Sequence, residues 1–340
     1  ADLAGDTWQQ HNLPDHLRFV SLKPLTANKI EGILDFYALI QRGKYRQQRG
    51  EMNDLGKRTY EIDPSLATLI LFPFEPEEDP HGAYFQGGKL AVMLEYLGGD
   101  LQLEDTDQLA VLINYGWFYG FLLTVATLLQ GKTVVVADGT AELESHLSLL
   151  KPTVLVSGPA YIEGQTRGWK ERIEKAPDFM TDTGETRPMG LGRALALVGE
   201  KAAKKVLYDP IRQDLGGRVK RLYLAAETQG AQPSDDVYEI LESAGTTVLG
   251  MFGLPETGIS HIQRPGATRR HSAGRPVQGY VCKIADARGE ESGMVLLRSD
   301  VLSEGYWDKI GPRMLDADGY LQTHVIGHSV SGYLFLDSNP

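Results

Sequence analysis

Short apolar runs alternate with longer amphipathic stretches between residues 65 and 264. The runs have the length and composition of buried strands, and the stretches between them have helical spacing. A strand, a helix and a strand in that order form one unit of a parallel sheet. We therefore predict an α/β fold with a doubly wound, mostly parallel sheet. Its predicted strands lie near residues 67–73, 133–137, 153–157, 219–226 and 247–252.

The pattern changes on both sides of this core. Residues 1–64 are polar, which predicts a linker or an outer layer. From residue 265 to residue 340, short strand-like runs are separated by glycine turns, which predicts a small β-rich subdomain. The predicted organisation is therefore a linker over 1–64, an α/β core over 65–264 and a C-terminal β subdomain over 265–340.

The longest apolar stretch covers residues 115–129 and is interrupted by glycine and threonine. A membrane-spanning helix needs about 20 apolar residues. We therefore predict a buried helix and no transmembrane segment. The opening residues 1–16 lack the apolar centre of a signal peptide.

Composition narrows the classes of function. The net charge is −11 and basic residues form no long cluster, whereas a nucleic-acid partner requires a basic face. Cys282 is the single cysteine, which excludes an intrachain disulfide, and no Cys/His set has metal-ligand spacing. These features favour a reducing compartment, and we expect a cytoplasmic protein without a nucleic-acid partner. A buried apolar role for Cys282 is favoured over a nucleophilic one.

A motif ends the last predicted strand of the core, where the chain reads Phe252-Gly-Leu-Pro-Glu-Thr257. The loop after such a strand lies at the carboxyl edge of the sheet, where open α/β folds bind ligands. The segment resembles the Tyr-Gly-Leu-Thr-Glu-Thr motif of adenylate-forming enzymes, which include acyl-CoA synthetases, fatty acyl-AMP ligases and peptide-synthetase adenylation domains. Phe252, Gly253, Glu256 and Thr257 match, and Pro255 replaces a threonine. The resemblance implies that Glu256 would hold the magnesium of ATP and that Phe252 would lie against adenine.

The resemblance extends over residues 65–337 in the order of the family. It implies the fold of the family's large domain. Within the family, the resemblance is to long-chain acyl-CoA synthetases and fatty acyl-AMP ligases. In the family a mobile C-terminal domain with a catalytic lysine follows, and we expect that domain to be absent here. The segments that carry the resemblance are 150–163, 215–222, 274–285, 305–307 and 318–327.

The segment that matches the family's phosphate loop departs from it. The family has a loop rich in Ser, Thr and Gly that ends in Pro-Lys-Gly and wraps the phosphates of ATP. Here residues 74–82 read Phe-Glu-Pro-Glu-Glu-Asp-Pro-His-Gly, so His81 stands in the place of the lysine. A phosphate-binding loop must not carry negative charge. Four carboxylates would repel a triphosphate, and they belong to Glu75, Glu77, Glu78 and Asp79.

A second departure concerns the sugar of ATP. The family has Thr-Gly-Asp where this chain has Thr323-His324-Val325, and the Asp binds the ribose hydroxyls. Valine cannot accept a hydrogen bond. The resemblance therefore implies an ATP site without its sugar anchor.

The resemblance also indicates candidates for an acyl-binding cleft. In fatty-acid-activating relatives, the helix that matches the long apolar stretch lines the acyl tunnel, so Trp117 and Phe121 are candidates; core packing is the alternative. Ser157, Gly158 and Glu227 would face the mouth of the cleft and contact an acyl group or nucleotide; otherwise they are ordinary loop residues.

Two histidines lie close to a group of arginines after the motif. We interpret His261 and His271 as polar surface residues, with contact to an anion or a carrier protein as the alternative. The neighbouring arginines are Arg264, Arg269 and Arg270.

Three hypotheses of function follow. The first is a degenerate adenylate-forming domain that cannot adenylate and binds an acyl chain, an acyl carrier protein or a partner domain in a lipid or polyketide/peptide assembly system, without a cofactor. The second is an active acyl-activating ligase with a non-standard or partner-completed ATP site, in which ATP and magnesium bind and Glu256 is the metal ligand. The third is a structural module with an empty cleft.

Overall fold

The computed structural model describes residues 19–21, 33–35, 45, 48–49, 63–73, 81–113, 117–135, 140–175, 200–226, 233–285, 291–307 and 315–337. The chain divides into two compact units, Ala1–Ile62 and Asp63–Pro340. In the first unit, strands β1 (Phe19–Ser21) and β2 (Ile33–Asp35) pair in parallel. The segments that carry the family resemblance all belong to the second unit.

Eleven strands of the second unit form one hydrogen-bonded sheet, and five of them make its parallel part in the order β6-β5-β7-β8-β9. The predicted α/β fold with a parallel central sheet is confirmed. Strand β5 is missing from the sequence prediction because four residues are too short a run to stand out. The five strands are β5 (Gln108–Val111), β6 (Thr133–Val135), β7 (Val154–Ser157), β8 (Arg221–Ala225) and β9 (Thr247–Leu254).

Antiparallel strands continue this sheet beyond β9 in the order β10-β11-β16-β15-β13-β12. Strands from both sides of the predicted boundary at residue 264 therefore share one sheet, while the boundary itself stays a prediction. These strands are β10 (Gly258–Ile262), β11 (Ser272–Pro276), β12 (Val281–Ile284), β13 (Gly293–Arg298), β15 (Leu321–Val330) and β16 (Tyr333–Leu336).

The strand predicted at 67–73 does not belong to the parallel sheet. Strand β3 (Ala67–Leu71) pairs antiparallel with β4 (Ala83–Gln86), and β14 (Gly305–Tyr306) pairs with the other edge of β4. Because β3 and β4 follow one another in the chain and pair antiparallel, they do not form a parallel unit. The result is a separate three-stranded sheet.

Helices cover both faces of the large sheet. Side chains of β8 alternate between the faces: Tyr223 packs in one apolar cluster with α1 and α2, whereas Leu222 and Leu224 pack in another with α3 to α6. This two-sided burial explains why the core strands are apolar throughout. The helices are α1 (Gly87–Leu101), α2 (Phe118–Leu129), α3 (Thr140–Leu150), α4 (Pro159–Lys175), α5 (Glu200–Asp214) and α6 (Asp235–Ser243).

The predicted apolar helix is α2, and it is buried on one side. Tyr119, Leu122 and Leu123 have no exposed surface, whereas Leu128 and Leu129 are more than half exposed. Within the described part of the chain, none of the helices has the length and apolar content needed to cross a membrane.

Candidate functional site

The segment that matches the family's magnesium motif forms a tight turn between β9 and β10. The Thr257 hydroxyl accepts a hydrogen bond from the backbone N–H of Leu254 (3.0 Å) and donates one to the carbonyl of Gly258 (2.8 Å). Gly258 has φ +60°, and a Cβ there would lie 2.5 Å from Sδ of Met93, so only glycine fits. Thr257 is fully buried and shapes the turn, while Glu256 at its tip is partly exposed.

Glu256 is held from the three-stranded sheet. The Tyr306 hydroxyl donates a hydrogen bond to Oε1 of Glu256 at 2.7 Å, and the Ser303 N–H donates one to the Glu256 carbonyl at 2.9 Å. Tyr306 lies in β14, which is fixed by its pairing with β4. The sequence does not indicate this role of Tyr306, because the residue that it contacts, Glu256, lies 50 residues away in the chain.

His81, in the place of the family's lysine, lies beside the same tyrosine. Its ring centroid is 5.6 Å from that of Tyr306. The next residue, Gly82, accepts a hydrogen bond from the N–H of Trp307 (2.8 Å), which fixes the end of the loop against β14. The structure thus brings together His81, Tyr306 and Glu256. The acidic residues 75, 77, 78 and 79 lie outside the described residues.

A lysine not identified from the sequence flanks this group. Lys89, in the first turn of α1, has its Nζ 2.6 Å from Oε1 of Glu304, and the Glu304 side chain is only 10% exposed. Glu304 is two residues from Tyr306 and its N–H donates to the carbonyl of Tyr84 (2.9 Å). The ion pair neutralises Lys89, so this cation does not replace the lysine that the phosphate loop lacks.

The residues that match the adenine and ribose contacts are closed off. Phe252 is 2% exposed and Val325 is 6% exposed, and both belong to one apolar cluster. The hydroxyl of Thr323 donates a hydrogen bond to the carbonyl of Val295 at 2.7 Å, so this hydrogen is engaged within the protein. The other buried members of the cluster are Ala273, Val295, Leu297, Leu334 and Leu336.

His324 keeps a backbone conformation that suits the family's glycine. Its φ is +58°, in the left-handed region that costs a residue with a side chain roughly 1 kcal/mol. The backbone at position 324 thus has a conformation that glycine adopts readily, and the next residue, Val325, carries no carboxylate.

The interpretation of His261 as a surface residue is wrong. His261 lies in β10, is fully buried, and has its ring centroid 6.1 Å from that of Phe252. Its Nδ1 is 3.1 Å from the Ser260 hydroxyl, while Nε2 has no hydrogen-bond partner among the described residues. Burial lowers the pKa of His261 to about 3, so the ring is neutral near neutral pH. The burial of His261 is not evident from the sequence, because the polar residues of β10 are followed directly by the polar residues of the loop.

The acyl-cleft candidates separate in the structure. Trp117 precedes α2, is 4% exposed and packs edge-on against Tyr119 with centroids 4.7 Å apart, whereas Phe121 on α2 is 38% exposed. Ser157 and Gly158 are buried at the carboxyl end of β7, and the Ser157 hydroxyl donates to the Gly158 carbonyl at 3.3 Å. Glu227 lies outside the described residues. Trp117 thus lies in the packed core and Phe121 lies at the surface, while an acyl contact of either residue stays a prediction.

Tyr119 is a residue that the sequence analysis does not single out. Its hydroxyl lies 3.1 Å from the carbonyl of Ala226, to which it donates, and 3.4 Å from the carbonyl of Gly253. It thus links α2 to the carboxyl ends of β8 and β9. Its position in an otherwise apolar run hides this polar role.

Two further features bear on the chemistry. Burial raises the pKa of the Cys282 thiol to about 12, so the thiol is protonated near neutral pH and is a poor nucleophile. Among the residues that the structure covers, three or more His, Cys, Asp or Glu side chains do not gather at one point in a way that could hold a metal ion.

Comparison with known proteins shows that the chain is similar to AMP-binding enzymes. The family model described as "AMP-binding enzyme" matches residues 81–307, about two thirds of the chain. The anthranilate–CoA ligase of Pseudomonas aeruginosa is 39% identical over 64 residues, which cover 16% of this chain and 12% of that protein. The match to this relative is therefore confined to a short part of its length.

Solved structures of the same fold cover most of the chain. The crystal structure of VinN superposes with a TM-score of 0.65 and 17% identity, over 90% of this chain and 68% of that one. The complex of O-succinylbenzoate coenzyme A synthetase from Bacillus subtilis with AMP superposes with a TM-score of 0.58 and 13% identity, over 84% of this chain and 53% of that one. This chain spans about half the length of the synthetase.

Proposed function

Because the chain belongs to the AMP-binding enzymes of the adenylate-forming superfamily, we propose that it is a degenerate adenylation domain, which does not adenylate by itself. In this proposal it binds an acyl group, an acyl carrier protein or a partner domain in a lipid or polyketide/peptide assembly system. The observation that carries the proposal is that Phe252 and Val325 share one closed apolar cluster.

On the adenosine side, two conditions for binding are missing. An aromatic ring that stacks on adenine must present a face, but Phe252 is 2% exposed. A ribose placed beside Val325 would have hydroxyls without an acceptor, and each unsatisfied buried group costs about 1–3 kcal/mol. Adenosine would also have to open the cluster, which loses favourable burial of its apolar side chains.

On the phosphate side, the charges oppose binding. Residues 75–79 contribute four carboxylates. Two like charges about 4 Å apart repel by roughly 1 kcal/mol in water and by about 4 kcal/mol at a protein surface. His81 replaces the lysine, and Lys89 is paired with Glu304. The positive charge of Lys89 is therefore already balanced by Glu304 and does not offset these carboxylates.

The binding part of the proposal is supported by the exposed side of α2. Phe121, Leu128 and Leu129 are 38%, 56% and 63% exposed, and apolar residues grouped on a surface favour contact with a partner or a ligand. Among the relatives, one malonyl-CoA ligase is known in complex with methylmalonyl-CoA and AMP, and VinN in complex with L-aspartate. These ligands indicate the chemical range of acids that the fold accepts.

A second candidate function is an active ATP-dependent acyl-activating ligase whose ATP site is completed by another chain. It is favoured by Glu256, which stays partly exposed at the carboxyl edge beside Tyr306 and His81. In that case Glu256 would hold magnesium. The carboxylate of the acid would attack the α-phosphorus of ATP and break the bond between the α- and β-phosphates, which gives an acyl adenylate and pyrophosphate.

Calorimetric titration of the purified chain with ATP and magnesium, and separately with AMP, tests the proposal. We expect no saturable heat with either nucleotide. A parallel titration with acyl-CoA thioesters from acetyl to palmitoyl tests acyl binding. Micromolar binding of ATP would overturn the proposal and favour the second candidate.

A matched set of variants separates the causes. We expect no release of pyrophosphate from the chain, from Val325→Asp, or from a variant with a Ser/Thr/Gly loop at 74–80 and His81→Lys, because each leaves another obstacle in place. Val325→Ala is the control for the change of packing. Recovery of pyrophosphate release by either single repair would contradict the view that several separate losses disable the site.

A further inference from the structure

The loop between β10 and β11, with the first residues of β11, is a basic segment of this acidic protein. It contains four arginines and a histidine between residues 264 and 275. Three of these five side chains face a carboxylate. The pairs are Arg264 with Asp100 (2.7 Å), Arg270 with Glu242 (2.6 Å) and His271 with Asp235 (2.9 Å).

The other two cations share an aromatic ring. The guanidinium carbons of Arg269 and Arg275 lie 5.1 and 4.6 Å from the ring centroid of Tyr333. Neither arginine has a carboxylate within 4 Å among the described residues. Their charges are therefore at most about 10 Å apart, which is close to one Debye length at physiological salt.

The backbone around these arginines is held in place. Gln263 is buried, its Nε2 donates to the carbonyl of Arg269 (2.8 Å), and its Oε1 accepts from the N–H of Arg269 (2.9 Å). The Tyr333 hydroxyl donates to the carbonyl of Ala267 at 3.0 Å. Arg275 belongs to strand β11, whose position is fixed by pairing. The two cations thus extend from a preorganised frame, which lowers the entropy cost of binding.

We propose that Arg269 and Arg275, stacked on Tyr333, bind the phosphate group of a small ligand. Arg275 donates one hydrogen bond to the carbonyl of Ser331 at 3.4 Å. A guanidinium has five N–H donors, so the remaining N–H groups of the two arginines can form hydrogen bonds to phosphate oxygens. Two uncompensated positive charges match a phosphate dianion better than a single carboxylate.

This site is separate from the nucleotide-like site. Strand β10 runs antiparallel to β9, so the loop that follows it lies at the end away from the Glu256 turn. Five residues of strand separate the two, roughly 17 Å at 3.3 Å per residue. Phosphate binding here is therefore independent of the loss of the ATP site.

Calorimetry on the 340-residue chain at low salt tests the proposal, with inorganic phosphate and adenosine 3′,5′-bisphosphate as probes. We expect saturable binding, weakened at least tenfold in the double variant Arg269→Gln/Arg275→Gln. Arg270→Gln is the control: it removes one positive charge from the same basic segment, where the double variant removes two, and takes it from the pair with Glu242. We expect less than a twofold change. Arg269→Lys/Arg275→Lys keeps the charge and is expected to retain partial binding.

The probes distinguish the source of the phosphate. Tighter binding of the bisphosphate than of inorganic phosphate would assign the site to a phosphate ester within a larger ligand, and equal binding would assign it to free phosphate. Absence of saturable binding to both probes, or an equal loss in Arg270→Gln, would overturn the proposal. Thermal unfolding of each variant shows whether a loss of phosphate binding arises from misfolding. If the glutamine variant misfolds, the binding of phosphate by Arg269→Lys/Arg275→Lys tests the proposal: partial binding supports it, and unchanged binding contradicts it.

Discussion

The phenolic hydroxyl of Tyr306 donates a hydrogen bond to Oε1 of Glu256 at 2.7 Å. Tyr306 belongs to the three-stranded sheet, whereas Glu256 follows β9 of the large sheet. The bond therefore joins the two sheets at the residue that matches the family's magnesium ligand. It also fixes the direction of the carboxylate at the tip of its turn.

Tyr306→Phe is expected to lower the free energy of unfolding by about 1 kcal/mol. A hydrogen bond to a charged group contributes about 1.5–3 kcal/mol, and solvent at the partly exposed Glu256 reduces this value. Urea denaturation measures the change. Tyr84→Phe is the control, because within the described residues the Tyr84 hydroxyl makes no hydrogen bond, and we expect it to change stability by less than half as much. Equal effects of the two substitutions would show that the bond to Glu256 contributes nothing.

Val325→Asp is expected to destabilise the protein by about 3 kcal/mol at neutral pH. The substitution places a carboxylate in an apolar cluster, where burial disfavours the charged form and raises its pKa above the unfolded value of about 3.9. The folded state then binds more protons than the unfolded state, so stability falls as the pH rises above about 4. Urea titrations between pH 4 and 8 measure this slope. Val325→Ala leaves a cavity without a charge and is expected to show no added pH dependence; an identical slope in both variants would contradict the burial of this position.

His261 makes stability dependent on acid pH. Its folded pKa of about 3 lies below the unfolded value of about 6.5, so between these values the unfolded state binds more protons. The contribution of neutral His261 is complete above about pH 6.5 and is lost as the pH falls toward 3, with a slope of at most about 1.4 kcal/mol per pH unit. His261→Gln is expected to flatten the urea-stability profile between pH 4 and 6.5. The exposed His146 provides the control: if His146→Gln flattens the profile equally, His261 is not the source.

Loss of the ion pair between Arg221 and Asp107 is expected to lower the free energy of unfolding. Asp107 is 1% exposed and accepts a hydrogen bond from Thr153 (2.7 Å), while Arg221 also donates to the carbonyls of Leu101 and Gln102, both at 3.1 Å. Arg221→Met leaves a buried carboxylate without its cation, which costs about 3–5 kcal/mol.

An exposed pair offers the comparison for this loss. Lys170 and Asp236 are 48% and 42% exposed, and exposed pairs contribute about 0–1 kcal/mol. Lys170→Met is therefore expected to change the urea midpoint little. Similar midpoints for Arg221→Met and Lys170→Met would contradict the role of burial.

The sequence predicts most of the α/β core, because strands buried on both faces are apolar runs and the helices between them are amphipathic. It places β3 in the wrong sheet, since an apolar run of five residues looks the same in a hairpin and in a parallel unit. It identifies Glu256 and His81 by their place in motifs, but not Lys89, whose importance depends on contact with Glu304 across more than 200 residues of sequence.

By itself, the sequence determined the fold class, the family resemblance and the acidic replacement of the phosphate loop, because these depend on local pattern and residue type. Only the tertiary structure decided that Phe252, Val325 and other distant apolar residues close into one cluster, that His261 is buried beside it, and that Arg269 and Arg275 meet at Tyr333. These relationships arise from the pairing of strands far apart in the chain. Burial and pairing of charges are properties of the packed molecule, and residue type alone does not specify them.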